Sequence, residues 1–181
     1  MQNVLITGVD GFIGSFLSKS LFDKGNKVTG IGRNNSTKNK FLRKYITSDL
    51  KDVSILKEAL KNIDCVYHLA SETEHSKIEN KFLQTKENIL LETECLCSAL
   101  KESKVKRLIY ASSGKVYGEF LNRGFLETDK IAPTNKLGLI KQYSEELLLR
   151  LLKPTNIELM ISRVFNVYGP GQKRSFVIPT I

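Results

Sequence analysis

Three glycines at one-in-three spacing, Gly8, Gly11 and Gly14, carry the clearest chemistry in this sequence. They stand in Thr7-Gly8-Val9-Asp10-Gly11-Phe12-Ile13-Gly14, between an apolar strand candidate, Val4-Leu5-Ile6, and the start of an apolar-periodic helix. Gly8 permits a tight turn, Gly11 lets backbone approach a phosphate, and Gly14 lets helix and strand pack closely. The first N–H groups of the helix face the same gap and favour an anion. The pattern predicts a pyrophosphate site, and with it a bound dinucleotide. A glycine-rich turn with no ligand is the competing reading. An NAD site ordinarily carries an Asp or Glu about 20 residues past the glycines, to hold the ribose 2′-hydroxyl. That region reads Ile31-Gly32-Arg33-Asn34-Asn35 and has no acid. Arg33 instead suits a 2′-phosphate, which a planar guanidinium meets with charge-assisted bonds. NADP is therefore expected over NAD, against the alternative that Arg33 stacks on adenine or faces water.

The elements that must position this loop are legible from periodicity. Strand signals fall at Val4–Thr7, Lys27–Ile31, Tyr45–Thr47, Cys65–Leu69, Arg107–Ala111 and Ile157–Val164. Helix signals fall between them. Phe12 to Asp23 stops at Lys24-Gly25, as a helix C-terminus should. Val53 to Leu60, Phe82 to Leu100 and Leu137 to Leu152 each carry an apolar stripe. Alternating strands and helices predict an α/β fold, a doubly wound parallel sheet of about six or seven strands. Ser175 to Ile181 reads as the beginning of another element.

Bulk properties narrow the class. The 181 residues, 41% of them hydrophobic, suffice for one domain with a substantial core. The first strand begins at Val4, which leaves no room for a cleavable signal peptide, and no apolar run approaches the ~18 residues of a membrane span. Three cysteines, an odd count, suggest a reduced cytoplasmic setting. Cys95 and Cys97 point to different helix faces, so they read as small buried hydrophobes rather than metal ligands, and no metal is expected. The net charge of +9 and pI of about 9.4 raise the question of nucleic acid. The lysines are scattered, however, with one modest cluster at Lys38, Lys40, Arg43 and Lys44. Aromatic residues do not interleave with them as they do in single-strand binders. An anionic ligand or a lysine-rich surface is the preferred explanation.

The order of motifs resembles the extended short-chain dehydrogenase/reductase family, the NAD(P)-dependent sugar-nucleotide epimerases, dehydratases and reductases. The family's T-G-x-x-G-F-I-G stands as Thr7 to Gly14. Its acid after the third strand matches Ser48-Asp49-Leu50, and its H-L-A matches His68-Leu69-Ala70, followed by Ser71. Its helix asparagine matches Asn88. Its serine-rich strand end and V-Y-G stand as Ala111 to Gly118, and R-x-F-N-V-Y-G-P-G runs intact from Arg163 to Gly171. The resemblance covers essentially the whole chain. It implies a Rossmann domain over residues 1–181, a homodimer built on the Phe82–Leu100 and Leu137–Leu152 helices, and a nucleotide-sugar substrate. It also implies cofactor contacts from Gly8, Gly11, Phe12, Ile13, Gly14, Asp49, Leu50, Leu69, Ala70, Ser71, Asn88, Lys141 and Phe165, beside the Arg33 contact read from residue type. Ser113 and Lys141 match the catalytic positions, and Ser113 and Asn166 the substrate positions.

Two features depart from the family's pattern. The family places a Tyr four residues before the catalytic Lys, and position 137 is Leu. Tyr143, two positions beyond Lys141, lies on roughly the opposite helix side and is no substitute. Some long members use an acid beside the catalytic Ser or Thr instead, but Gly114 follows Ser113. The family also continues into a C-terminal substrate domain, which is expected to be absent or truncated in this chain. Two readings follow: an enzyme impaired by Leu137, or a non-catalytic NAD(P)-binding protein. Single residues carry alternatives too. Lys141 either meets the cofactor ribose or pairs with Glu145 as a solvated i+4 bridge. Ser113 either orients substrate or turns the chain. Asn88 either contacts cofactor or is a plain polar residue. His68 reads as structural.

Overall fold

Alternating strands and helices form one parallel sheet in the order β3-β2-β1-β4-β5-β6. The structure, a computed structural model, describes residues 1–119 and 123–172. The strands are β1 (Asn3–Thr7), β2 (Lys27–Gly32), β3 (Lys44–Thr47), β4 (Cys65–His68), β5 (Arg107–Ser113) and β6 (Glu158–Val164). The helices are α1 (Phe12–Asp23), α2 (Val53–Ala59), α3 (His75–Asn80), α4 (Phe82–Lys101) and α5 (Lys136–Leu152). All neighbouring strands pair in parallel, and Val4 faces both Val28 and Cys65. This is the doubly wound order, with its reversal between β1 and β4.

The middle of β1, Val4-Leu5-Ile6, is apolar without alternation because both sheet faces are covered. Leu5, with Val66, Leu108 and Tyr110, joins Leu56 of α2, Leu96 and Leu100 of α4, and Leu148 and Leu152 of α5 in the main core. Val4, Ile6 and Val28 pack with Leu17 and Leu21 of α1 on the other side. Local signals set the helix ends. Asp52 caps α2 through Ser54 N (3.0 Å) and Ile55 N (3.1 Å), and Asn135 caps α5 through Gly138 N (2.9 Å). α1 closes at Gly25 (φ 78°), with Gly25 N bonded to Phe22 O (2.8 Å) and Asn26 N to Leu21 O (3.0 Å). Those two bonds satisfy the last carbonyls of the helix.

The expected strands and long helices agree with the observed ones to within two residues. Two short elements, α3 and a 3₁₀ turn at Gly114–Tyr117, have no counterpart in the periodicity reading. Within α3, Ile78 is buried, and one apolar position gives no period. The expected element at residues 175–181 lies outside the described residues. No helix among the described residues is long and apolar enough to cross a membrane.

Candidate functional site

The C-terminal ends of β1 and β4 meet where the strand order reverses, and the glycine loop leaves β1 there. Gly8 has φ 72°, and a Cβ on it would stand 2.7 Å from Ala70 N. Gly14 is buried, and its Cβ would stand 2.3 Å from the Gly8 carbonyl oxygen and 2.9 Å from Val9 Cα. At Gly11 a Cβ would approach only the Gly8 carbonyl oxygen (3.1 Å) among the described residues, so the outer side of the loop is open. Gly11 caps α1 without a side chain, and the first turn holds no carboxylate. The leading N–H groups of α1 therefore face an open gap with their positive dipole end exposed, a surface that fits a pyrophosphate. Phe12 is half-buried and Ile13 exposed beside it.

Asp10 turns away from this gap. Its carboxylate accepts from Tyr45 OH (2.8 Å) and Thr37 Oγ1, with Asn34 Nδ2 at 3.5 Å. Burial and Asp10 together push the Tyr45 phenol up to about 12. Arg33 is exposed just past β2. Asp49 is exposed and accepts Lys51 N (3.0 Å), whereas the Leu50 side chain lies in the main core. Asn88 accepts from Lys51 Nζ (2.6 Å), a partner that residue spacing does not signal. Burial, then Asp49, raises the Glu92 carboxyl, while Arg33 and Lys51 pull it down. Arg33, Asp49, Lys51, Asn88 and Glu92 thus share one flank of the crevice.

Across β4, Thr7 Oγ1 lies 2.8 Å from His68 Nδ1 and accepts Ala70 N–H (3.2 Å). Leu69 packs half-buried under the loop, and Ser71 Oγ leans on Glu72 O (3.5 Å). Burial, then the Lys141 charge, pushes His68 down to about 3, so the ring is neutral and structural. A pH dependence follows. Below about 6.5 the unfolded His takes up a proton that the folded one refuses, so stability falls as pH falls, by about 1.4 kcal/mol per unit. Between pH 6.5 and 5 the loss should reach about 2 kcal/mol in urea denaturation. A His68→Gln chain should lack that slope, and an equal slope in both would refute the assignment.

At the end of β5, Ser113 Oγ accepts Lys115 N–H (3.2 Å) and starts the 3₁₀ turn. The hydroxyl proton remains available, so turning the chain and orienting a ligand are compatible. Lys141 is 5% exposed. It donates to Ala111 O (2.8 Å) and sits 4.9 Å from the centre of the Tyr110 ring. Burial pulls its ammonium down to about 8, partly offset by Glu145. The solvated Lys141–Glu145 bridge does not form: Glu145, 2% exposed, pairs with Arg163 (2.9 Å) and accepts from Ser112 Oγ. Arg163 also reaches the Tyr117 hydroxyl (2.9 Å). This network ties β5, β6, α5 and the 3₁₀ turn together directly behind Ser113. Only the alternation along β5, which turns Ser112 inward, hinted at it. A Cβ on Gly138 would meet Lys115 O at 2.5 Å, so that glycine lets α5 dock on the turn.

Leu137 packs half-buried against Ile78, Ile89 and Ile140, one helical turn before Lys141. Tyr143 lies under Lys86 of α4, 5.3 Å from ring centre to ammonium, and so points elsewhere. Phe165 is exposed, stacks near Tyr117 and Phe125, and covers Gly114, where a Cβ would be 2.7 Å from its ring. Asn166 is exposed beside it. The described residues contain no group of three or more His, Cys, Asp or Glu placed to hold a metal. Burial keeps the Cys65 and Cys97 thiols protonated, pushed up to about 11 and 12.

A family model, described as the NAD dependent epimerase/dehydratase family, matches residues 4–181. The chain belongs to that family. It is 31% identical to the dTDP-D-glucose 4,6-dehydratase of Homo sapiens over 98% of this chain and 55% of that protein. UDP-N-acetylglucosamine 4-epimerase from Methanobrevibacter ruminantium M1, in complex with UDP-N-acetylmuramic acid, superposes with a TM-score of 0.85. The identity there is 31%, covering 98% of this chain and 59% of the other. MoeE5 in complex with UDP-glucose and NAD superposes with a TM-score of 0.84 at 32% identity, covering 96% and 57%. The chain spans about half the length of the curated relatives it matches.

Proposed function

We propose that this chain is the dinucleotide-binding part of a sugar-nucleotide epimerase, dehydratase or reductase that works by hydride transfer at a sugar hydroxyl or keto carbon. The observation that carries the reading is the open, glycine-lined start of α1 at the sheet's switch point, with Ser113 at the end of β5 and the buried Lys141 of α5 bonded to Ala111 of that strand. Gly8, Gly11, Phe12, Ile13 and Gly14 receive the pyrophosphate. Asp49 and the Leu50 backbone border the adenine. Leu69, Ala70, Ser71 and Asn88 line the middle of the crevice, and Lys141 and Phe165 the nicotinamide half. A nicotinamide held there would supply the hydride acceptor and donor for the sugar carbon.

Ser113 Oγ orients the reacting sugar oxygen, and Asn166 contacts the substrate. Lys141, with two N–H groups left after Ala111, holds a cofactor ribose and adds positive charge beside the oxygen that loses its proton. Leu137 can take no proton, so proton transfer passes to water and is slow. Leu137 also favours a second reading, a non-catalytic NAD(P)-binding protein. Mixing the chain with NAD and UDP- or dTDP-hexoses distinguishes the two. Slow appearance of reduced nicotinamide or altered sugar supports the enzyme, and cofactor binding with no conversion supports the binding protein.

For the cofactor, Arg33 speaks for NADP by residue type, whereas the carboxylate of Asp10 at the end of β2 speaks for NAD. We further propose a homodimer through α4 and α5, which lie side by side and expose Leu83, Leu91, Tyr143 and Leu149. Light scattering at tens of micromolar should give twice the chain mass, and a strict monomer would refute it. A cytoplasmic setting agrees with three free thiols, Cys65, Cys95 and Cys97.

A further inference from the structure

The end of β2 lacks an acid in sequence but not in space. Gly32, the last residue of β2, has no side chain, and a Cβ there would stand 2.7 Å from Asp10 Oδ2 and 2.4 Å from the Tyr45 hydroxyl. The carboxylate of Asp10 and the Tyr45 hydroxyl together fill the volume that a side chain at the strand end would take. It is fixed there: Tyr45 OH lies 2.8 Å from Oδ2, and Thr37 Oγ1 donates to Oδ1. The Tyr45 hydroxyl is also 3.1 Å from the Asn34 carbonyl, which ties the loop after β2 to β3. A carboxylate has about four acceptor sites; Tyr45, Thr37 and, at 3.5 Å, Asn34 Nδ2 take three, so one remains for a ribose hydroxyl. Asp10 itself is exposed, on the solvent side of the crevice.

We propose that Asp10, delivered by the glycine loop into the space left by Gly32, accepts the adenosine ribose of the dinucleotide and makes the chain select a 2′-hydroxyl over a 2′-phosphate. The inference rests on the dinucleotide-binding reading and deepens it. A ribose diol donates hydrogen bonds to a carboxylate. A 2′-phosphate has no proton to donate at neutral pH and brings nearly two negative charges against it. Arg33, the feature that favours NADP by residue type, lies within electrostatic reach of Glu92, so its charge is partly answered already. The guanidinium then stacks on the adenine as a flat cover. A search for an acid about 20 residues past the glycines misses this device, because the acid sits between the first two glycines.

Calorimetric titration of NAD and NADP into the native chain, Asp10→Asn and Arg33→Ala tests the proposal. The native chain should bind NAD at least about tenfold more tightly than NADP, because like charge penalises the phosphate. Asp10→Asn keeps the shape and removes the charge, so it should bring the two affinities within about threefold, chiefly by improving NADP. Arg33→Ala should leave the preference for NAD in place. An Asp10→Ser chain with the same outcome would exclude a peculiarity of the Asn amide, and thermal melting would verify that each variant folds. Native NADP affinity equal to or above that of NAD, or a ratio unchanged by Asp10→Asn, would overturn the proposal while leaving dinucleotide binding intact. Binding of neither cofactor by the folded native chain would overturn the dinucleotide reading itself, and this inference with it.

Discussion

Replacing Leu137 by Tyr should raise the turnover of nucleotide sugars by about 10²–10⁴-fold, the usual worth of a positioned general base. Leu137 and Lys141 lie one turn apart on one face of α5. A ring at 137 would rest on the apolar floor of Ile78, Ile89 and Ile140 that Leu137 already covers. Its hydroxyl would then lie near the Lys141 ammonium. A free phenol ionises near ~10, and an adjacent ammonium lowers that value. Leu137→Phe supplies the ring without the oxygen and should show no gain. Ser113→Ala in the Tyr background should remove much of the gain, because the sugar hydroxyl loses its orienting partner. Product chromatography with NAD and UDP- or dTDP-hexoses measures all four chains. Fast turnover by the native chain, or equal gains from Tyr and Phe, would contradict the role given to position 137.

The second large effect belongs to Gly14. A Cβ there meets the Gly8–Val9 backbone, 2.3 Å from the Gly8 carbonyl oxygen and 2.9 Å from Val9 Cα, and neither can swing aside as a side chain would. Gly14→Ala should push α1 off β1. The overpacking should cost about 3 kcal/mol, at the upper end of such insertions. In a domain of this size that lowers the melting temperature by roughly 6–12 °C. Dinucleotide affinity should fall by at least about tenfold, since the N–H groups at the start of α1 move with the helix. Gly25 gives the contrast. Its φ is 78°, but nothing lies within 4 Å of its Cβ position. Gly25→Ala should cost only the left-handed strain, about 1–2 kcal/mol, and leave binding unchanged. Matched losses of affinity in the two variants would contradict a specific role for the loop.

These residues also mark what a sequence discloses. Gly8, Gly11 and Gly14 were legible because glycine is the residue type that admits φ 72° and backbone contact at these distances. The strands were legible because a parallel sheet covered on both faces demands apolar runs. What stayed hidden depends on partners far apart in the chain. Asp10 meets Tyr45, 35 positions away, and its carboxylate replaces a side chain at Gly32. Glu145 reads as a surface partner for Lys141 by helix spacing, yet it is buried on Arg163 and Ser112. Spacing on one helix says which residues are neighbours, not which charge on another element lies closer. Asn88 accepts from Lys51, 37 positions earlier, a pairing that helix spacing does not signal.

The most direct test is to map bound NAD on the isotopically labelled chain by amide chemical shifts. The shifts should centre on Gly8, Asp10, Gly11, Gly14, Gly32, Ala70, Ser71 and Ser113, which ring the C-terminal strand ends. A concavity of about 410 Å³ at the opposite end of the sheet, lined by Met1, Gln2, Asp64, Lys106 and Glu158, should stay silent. Shifts confined to that opposite end, or none at saturating NAD, would contradict the assignment of the glycine loop as the cofactor site.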